Sequence, residues 1–267
     1  MKPPVYNPDW SAEVQALYRH DLQEIWDQRI APHVWNQYHN QLAIYLAYAD
    51  RPAMNVLDVG CAQGTLALLL GERGHRVTAV DLRPEFLEYA KSRHTTGDVR
   101  FIQANALAGD IPGQYDLIFA NQIIEHLVYP DQLLLRLIDR LKPGGRIVVT
   151  TPNGDYAKNT LPSYLELGNP KDWEHLQFTA DGDGHFYAYL REELMAVFTR
   201  AGLVDVSANF SESPFISGHL KVRHAHAWMP VALLRGLDRA VLAIPWAARR
   251  LGHQLLVTGV FEEAMRA

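Results

Sequence analysis

The segment Val56 to Gly64, VLDVGCAQG, constrains the fold more than any other part of the chain. A short apolar run enters a turn bounded by Gly60 and Gly64, and a helical pattern begins at Thr65 directly after it. Glycines at these positions let the backbone bend sharply and approach a ligand with no side chain between them. The first turn of the following helix offers unpaired N–H groups to an anion. Strand, tight turn and helix in this order are the unit of a parallel sheet covered by helices.

The rest of the chain extends that unit. Apolar β-rich runs recur at MNVLDV, HRVTAV, VRFIQA, YDLIFA and RIVVTT, with a sixth strand expected at Leu203 to Ala208 and a last at Gln254 to Phe261. Helical patterns fall between them at Thr65 to Arg73, Pro84 to Ser92, Pro130 to Leu141 and Arg191 to Ala201. Residues 1–50 read as a helical N-terminal cap, two helices broken near Pro32, and residues 51–267 as one doubly wound α/β domain with insertions at 154–189 and 211–253. In the second insertion Leu233, Leu237, Val241 and Ile244 share one helical face until Pro245 ends or kinks the helix. That face suits a packed lid, a homodimer contact or a peripheral membrane contact through residues 230–250.

A ligand can be sketched from the strand ends. Asp81 closes the second strand, where a carboxylate can accept hydrogen bonds from two ribose hydroxyls, and Leu82 can lie against an adenine face. Asn105 and Ala106 follow the third strand and can meet the adenine edge, while Asn121 and Gln122 end the fourth and face the amino-acid end. A dinucleotide fingerprint needs G-x-G-x-x-G, whereas this run is G-C-A-Q-G-T with Asp58 two residues before the first glycine. The spacing of Asp58, Gly60, Ala62 and Gly64 thus favours an adenosyl amino acid.

Composition narrows the partners. A net charge of -5 and a pI near 6.2 give no general attraction to phosphate backbones, so nucleic acid is not expected. The single cysteine, Cys61, excludes an intrachain disulfide and suits a reducing, cytoplasmic setting. No signal-peptide pattern opens the chain, and no apolar run reaches the roughly 20 residues needed to span a bilayer.

From about residue 50 to 210 the chain resembles the class I S-adenosylmethionine-dependent methyltransferases, nearest to the branch of quinone-biosynthesis O-methyltransferases and sugar and natural-product methyltransferases. VLDVGCAQG, YDLIFANQIIEHL, LKPGGRIVVTTPN and GHFYAYLREELMAVFTRAGL carry the likeness, each in its expected place. The resemblance implies a Rossmann-like sheet of order 3-2-1-4-5-7-6 with strand 7 antiparallel, and S-adenosylmethionine as methyl donor with S-adenosylhomocysteine as product. Two positions depart from the family pattern: Ala62 stands for a common glycine, which a tight turn tolerates at negative φ, and Asn105 stands for a common aspartate.

A hydroxyl acceptor needs a base, since it is a poor nucleophile until its proton is removed. His126, just past the fourth strand, is the first candidate and His185 the second, with His175 in KDWEHLQF third. An acceptor cavity lined by His126, Trp173 and His185 is the arrangement expected of a catalyst. Asp181 and Asp183 resemble the start of a metal loop but sit in ordinary turn sequence, and no metal is assigned. The leading expectation is O-methylation of a small or glycan acceptor, such as a saccharide or cell-envelope precursor. N-methylation of an amino sugar, O-methylation of a quinone-type phenol and a non-catalytic S-adenosylmethionine-binding module are the alternatives.

Overall fold

In a computed structural model the described residues are 1–108, 111–176, 185 and 187–263. Seven strands form one sheet: β1 Asn55–Val59, β2 Arg76–Asp81, β3 Asp98–Gln103, β4 Tyr115–Asn121, β5 Leu141–Pro152, β6 Val204–Ser211 and β7 Gln254–Val260. Their order is β3-β2-β1-β4-β5-β7-β6, with β1 to β5 parallel and β7 antiparallel to both its neighbours. The central strands read as continuous apolar runs because both faces are covered. On β4, Leu117 and Phe119 enter one core while Ile118 and Ala120 enter the other.

Helices α3 (Thr65–Glu72) and α4 (Pro84–Arg93) follow β1 and β2, and α5 (Pro130–Ile138) and α6 (Arg191–Arg200) lie farther along the chain. Pro84 and Pro130 each open their helix, where the missing N–H costs nothing. The cap consists of α1 (Ala12–Asp21), a π-type turn over Leu22–Trp26, and α2 (Pro32–Leu46). In the second insertion come α7 (Pro214–Ser217), a 3-10 turn over Val222–Ala227, α8 (Val231–Leu242) and α9 (Pro245–Leu251). Pro245 therefore starts a new helix after ending the expected one.

The expected apolar stripe of α8 is not its buried face. Leu234 and Asp238 point inward, with Asp238 Oδ1 accepting from the Ser213 N–H at 2.7 Å, while Leu233 and Ile244 are exposed. The cap and the insertion are joined to each other: Gln37 Nε2 donates to Glu212 Oε2 at 2.9 Å, and the Asn36 amide meets His226 Nδ1 at 3.0 Å. Among the described residues no helix is long and apolar enough to cross a membrane.

A fully buried ion pair ties the cap to the sheet. Arg93, at the end of α4, lies 2.9 Å from Asp21 Oδ1, and neither side chain is exposed. The same guanidinium donates to the Gln63 carbonyl at 2.6 Å and to Thr65 Oγ1 at 3.0 Å, on the turn between β1 and α3. Tyr89 Oη and Trp26 Nε1 donate to the other Asp21 oxygen at 2.8 and 2.9 Å. Removing one member of such a pair leaves an uncompensated buried charge. Arg93→Met should therefore destabilise the protein by about 3–5 kcal/mol in urea unfolding. The double variant Asp21→Leu/Arg93→Met should recover part of that loss, because no lone charge remains.

Candidate active site

The turn after β1 is held open by its backbone. Gly60 (φ 68°), Ala62 (φ 45°) and Gly64 (φ 76°) are all left-handed, so Ala62 does not adopt the negative φ expected of it. A non-glycine residue there is strained by about 1–2 kcal/mol. Its N–H is anchored, donating to Asp81 Oδ2 at 3.0 Å. The N–H groups of Gly60 and Cys61 both donate to the Val80 carbonyl, at 2.7 and 3.0 Å, which clamps the turn to the end of β2. A Cβ on Gly60 would lie 2.6 Å from Ile123 Cδ1, and one on Gly64 2.8 Å from Ala90 Cβ.

Asp81 is buried at the end of β2, and its Oδ1 accepts from the Arg83 N–H at 3.0 Å. Leu82 beside it is exposed, as a residue offered to a ligand face must be. Asp58 is buried below the turn, and burial together with the Asp81 charge pushes its carboxyl up to about 7. Cys61 is buried, and burial pushes its thiol well up, away from thiolate chemistry. After β3, Asn105 uses its side-chain oxygen locally, accepting from the Leu107 N–H at 2.9 Å, and Ala106 packs on the core below.

The ends of β4 and β5 carry a second cluster. Asn121 Oδ1 accepts from Thr150 Oγ1 at 3.0 Å. Gln122 is left-handed (φ 53°), and with its amide nitrogen toward Glu125 it donates to Oε1 at 3.3 Å and accepts from the Thr151 N–H at 3.3 Å. Glu125 is fully buried in a 3-10 turn over Ile124–His126; Thr151 Oγ1 donates to its Oε2 at 3.1 Å, and burial pushes its carboxyl up to about 8.

His126 and His185 come from distant segments, yet their rings meet edge to face at 4.7 Å, and His185 Nε2 lies 3.9 Å from Glu125 Oε1. Glu125, His126 and His185 each offer one ligand atom, all within 4.8 Å of one another, a grouping that can hold a divalent cation. An acid set among apolar neighbours in IIEHLV is the sequence signal that points to Glu125.

A cleft of about 1000 Å³ opens from Gln122 and His185 toward the cap and the second insertion. Trp173 is not part of it. Its indole donates to the Leu167 carbonyl at 2.9 Å and lines a separate small pocket with Tyr164 and Pro170. His126 does not line the cleft, and His175 is exposed on a 3-10 turn over Pro170–Leu176. Asp181 and Asp183 lie outside the described residues.

A family profile described as a methyltransferase domain matches residues 12–208. A ubiquinone biosynthesis O-methyltransferase of Xanthomonas campestris is 33% identical over 172 residues, covering 60% of this chain and 68% of that protein. Phosphoethanolamine N-methyltransferase 2 of Haemonchus contortus, solved with S-adenosylmethionine, superposes with a TM-score of 0.59 at 17% identity, over 92% of this chain and 60% of that one. This chain thus spans about three fifths of that structure. The N-methyltransferase NodS of Bradyrhizobium japonicum, solved with S-adenosylhomocysteine, gives 0.53 at 17% identity, over 93% and 98% of the two chains.

The raised carboxyls set a pH dependence. Asp58 (about 7) and Glu125 (about 8) hold protons in the folded state that the unfolded chain has already lost. Their contribution is complete below the ordinary carboxylate range and is lost as pH rises through these folded values. The half-buried imidazoles His33, His219 and His253 and the buried His226 are shifted down by desolvation, so they oppose this slope only below about 6.5. Unfolding free energy should therefore fall between roughly pH 6.5 and pH 8.5, and Glu125→Gln should flatten that fall by about 1 kcal/mol in denaturant titrations at each pH.

Proposed function

Because this chain belongs to the S-adenosylmethionine-dependent methyltransferases, we propose that the turn after β1 and the strand ends beside it hold the cofactor, and that the Glu125–His126–His185 cluster serves methyl transfer to an acceptor hydroxyl. The cofactor's fit rests on the turn and the acids. Gly60 has no room for a Cβ, since one would lie 2.6 Å from Ile123 Cδ1, and the Asp81 oxygens, already fixed by two backbone N–H groups, keep further lone pairs for ribose hydroxyls. The Asp81 carboxylate beside the turn favours the cationic groups of an adenosyl amino acid over a pyrophosphate. Leu82, Asn105 and Ala106 border the adenine end, and Asn121 and Gln122 the methionine end.

When bound, S-adenosylmethionine supplies an electrophilic methyl group on a positively charged sulfur. His185 would take the proton of the acceptor hydroxyl, and the cleft would hold that oxygen toward the donated methyl group. His185 borders the cleft, so it takes the base role ahead of His126, whose ring braces it. The buried Glu125 carboxyl lies 3.9 Å away, and because burial pushes it up to about 8 it is a neutral polar neighbour of that ring near pH 7. The observation that carries this reading is the acid–imidazole cluster at the carboxyl end of β4, opening on a cleft, where ligands of open α/β sheets bind. The oxygen acceptor also agrees with the O-methyltransferase relatives. A cleft bordered by Gln122, Asn153, Lys158 and Asn159 together with Val34, Tyr156, Leu161 and Leu220 suits an acceptor with both polar and apolar parts.

A second reading has the same three residues binding a divalent cation that lowers the acceptor hydroxyl's pKa. Dialysis against EDTA separates the two: activity that survives chelation supports the imidazole base, and activity restored only by added metal supports the cation.

Two variants test the roles. Asp81→Ala should weaken S-adenosylhomocysteine binding at least ~10-fold in calorimetry, since charge-assisted hydrogen bonds of about 1.5–3 kcal/mol each are lost. His185→Ala should leave that affinity within a few-fold while lowering turnover ~100-fold or more, measured by methyl-labelled cofactor incubated with fractionated cell extract and mass analysis of the product. Unchanged turnover in His185→Ala with a large loss in His126→Ala would transfer the base role to His126.

A further inference from the structure

The cleft that leads away from Gln122 and His185 has a one-sided charge. Lys158 reaches it from the segment after β5, His33 from the start of α2, and Lys221, Arg223 and His224 from the second insertion. Among the described residues that line it there is no aspartate or glutamate. Of the acids behind the lining, Glu212 is buried and accepts from Gln37, Asp155 pairs with Arg249 at 2.8 Å, and Glu125 is buried beside Gln122 and His185. This local excess of cations stands on a chain whose net charge is -5.

The loop presenting these cations is a shaped feature. Gly218 (φ 70°), Leu220 (φ 53°) and Lys221 (φ 68°) are left-handed within four positions, and the latter two carry the strain that side chains bring to that region. Gly218 permits a close approach, since a Cβ there would lie 2.9 Å from His33 Cβ. The Arg223 N–H donates back to the Gly218 carbonyl at 2.9 Å, and the Val222 N–H to that of His219 at 3.0 Å, so the bend fixes Lys221 and Arg223 at the rim.

The positive potential registers on the imidazoles. Burial lowers His33 and His219, and Arg223 acts on the first and Lys158 on the second in the same direction. Like charges gathered around one cleft, with no acid lining it among the described residues, attract an anion.

We infer that this rim binds a phosphate group carried by the methyl acceptor, with Lys158, Lys221 and Arg223 as its ligands. Arginine matches phosphate oxygens with a planar fork and lysine adds point charges. Three cations with imidazoles beside them exceed what a single carboxylate neutralises, which favours a phosphate or pyrophosphate ester. This inference rests on the proposed function, because it takes the cleft as the acceptor's path to the methyl group.

The test uses the full chain in two separate calorimetric titrations, one with S-adenosylhomocysteine and one with inorganic pyrophosphate, the latter repeated with acetate. Pyrophosphate should bind and acetate should not. The exposed double variant Lys221→Ala/Arg223→Ala should bind pyrophosphate at least ~10-fold more weakly, with affinity for S-adenosylhomocysteine within twofold of the parent. Pyrophosphate that fails to bind, binds the variant equally well, or binds no better than acetate overturns the inference. Failure of S-adenosylhomocysteine to bind the parent chain overturns the cofactor reading instead, and the two results are scored independently. Sedimentation with phosphatidylcholine vesicles doped with phosphatidic acid then separates the two sources of such a group. Co-sedimentation lost in the double variant assigns it to a lipid-borne ester, and pyrophosphate binding without co-sedimentation assigns it to a soluble one.

Discussion

The Arg93 guanidinium is the point on which three parts of the protein close. It neutralises Asp21 from the cap, holds the Gln63 carbonyl and Thr65 hydroxyl of the turn after β1, and ends the helix that follows β2. A charge wholly out of water persists only with every partner in place. The cap is consequently not an appendage laid on a finished sheet. The left-handed turn with its strained Ala62 keeps its shape because a buried cation holds it from behind while Asp81 anchors it from the front.

From that fixed turn the remaining geometry follows in order. Clamping Gly60 and Cys61 to the end of β2 brings Asp81 against the turn, and the parallel register sets the ends of β1, β4 and β5 side by side. Gln122 and Glu125 then meet Thr151 of the neighbouring strand, so the acid–imidazole cluster forms across a strand boundary. Burial raises Glu125 as it raises Asp58, and both carboxyls lie toward the carboxyl ends of the central strands β1 and β4.

The sheet was legible in the sequence because strands buried on both faces leave unbroken apolar runs, and because glycine and proline punctuate their ends. The observed strands begin and end within a few residues of the expected ones, apart from β5, which starts at Leu141. The position of Asp81 was legible for the same reason, as the last residue of a strand. Pairing across the fold was not. Asp21 and Arg93 lie in different helices with no periodicity to link them, and the meeting of Glu125 with His185 depends on how the segment before α6 returns to the sheet. The cavity that Trp173 would share with His126 and His185 does not form, because its indole donates to the Leu167 carbonyl, a local partner that no sequence pattern announces. The backbone of Ala62 shows a further limit, since residue type gives a preference for φ and the hydrogen bond to Asp81 overrides it.

The strand order has an effect on how the protein can change. Since β7 lies between β5 and β6, the second insertion leaves the sheet at Ser211 and returns at Gln254, residues paired directly across two strands. His253 N–H closes the gap by donating to the Ser211 carbonyl at 3.0 Å. An excursion whose two ends are already neighbours adds little to the chain entropy of closure when it lengthens or shortens. The segment that supplies Lys221 and Arg223 can therefore be exchanged or rebuilt in evolution with the strands left as they are. In such a lineage, selectivity for the acceptor would drift quickly while the methyl-donor side stayed still.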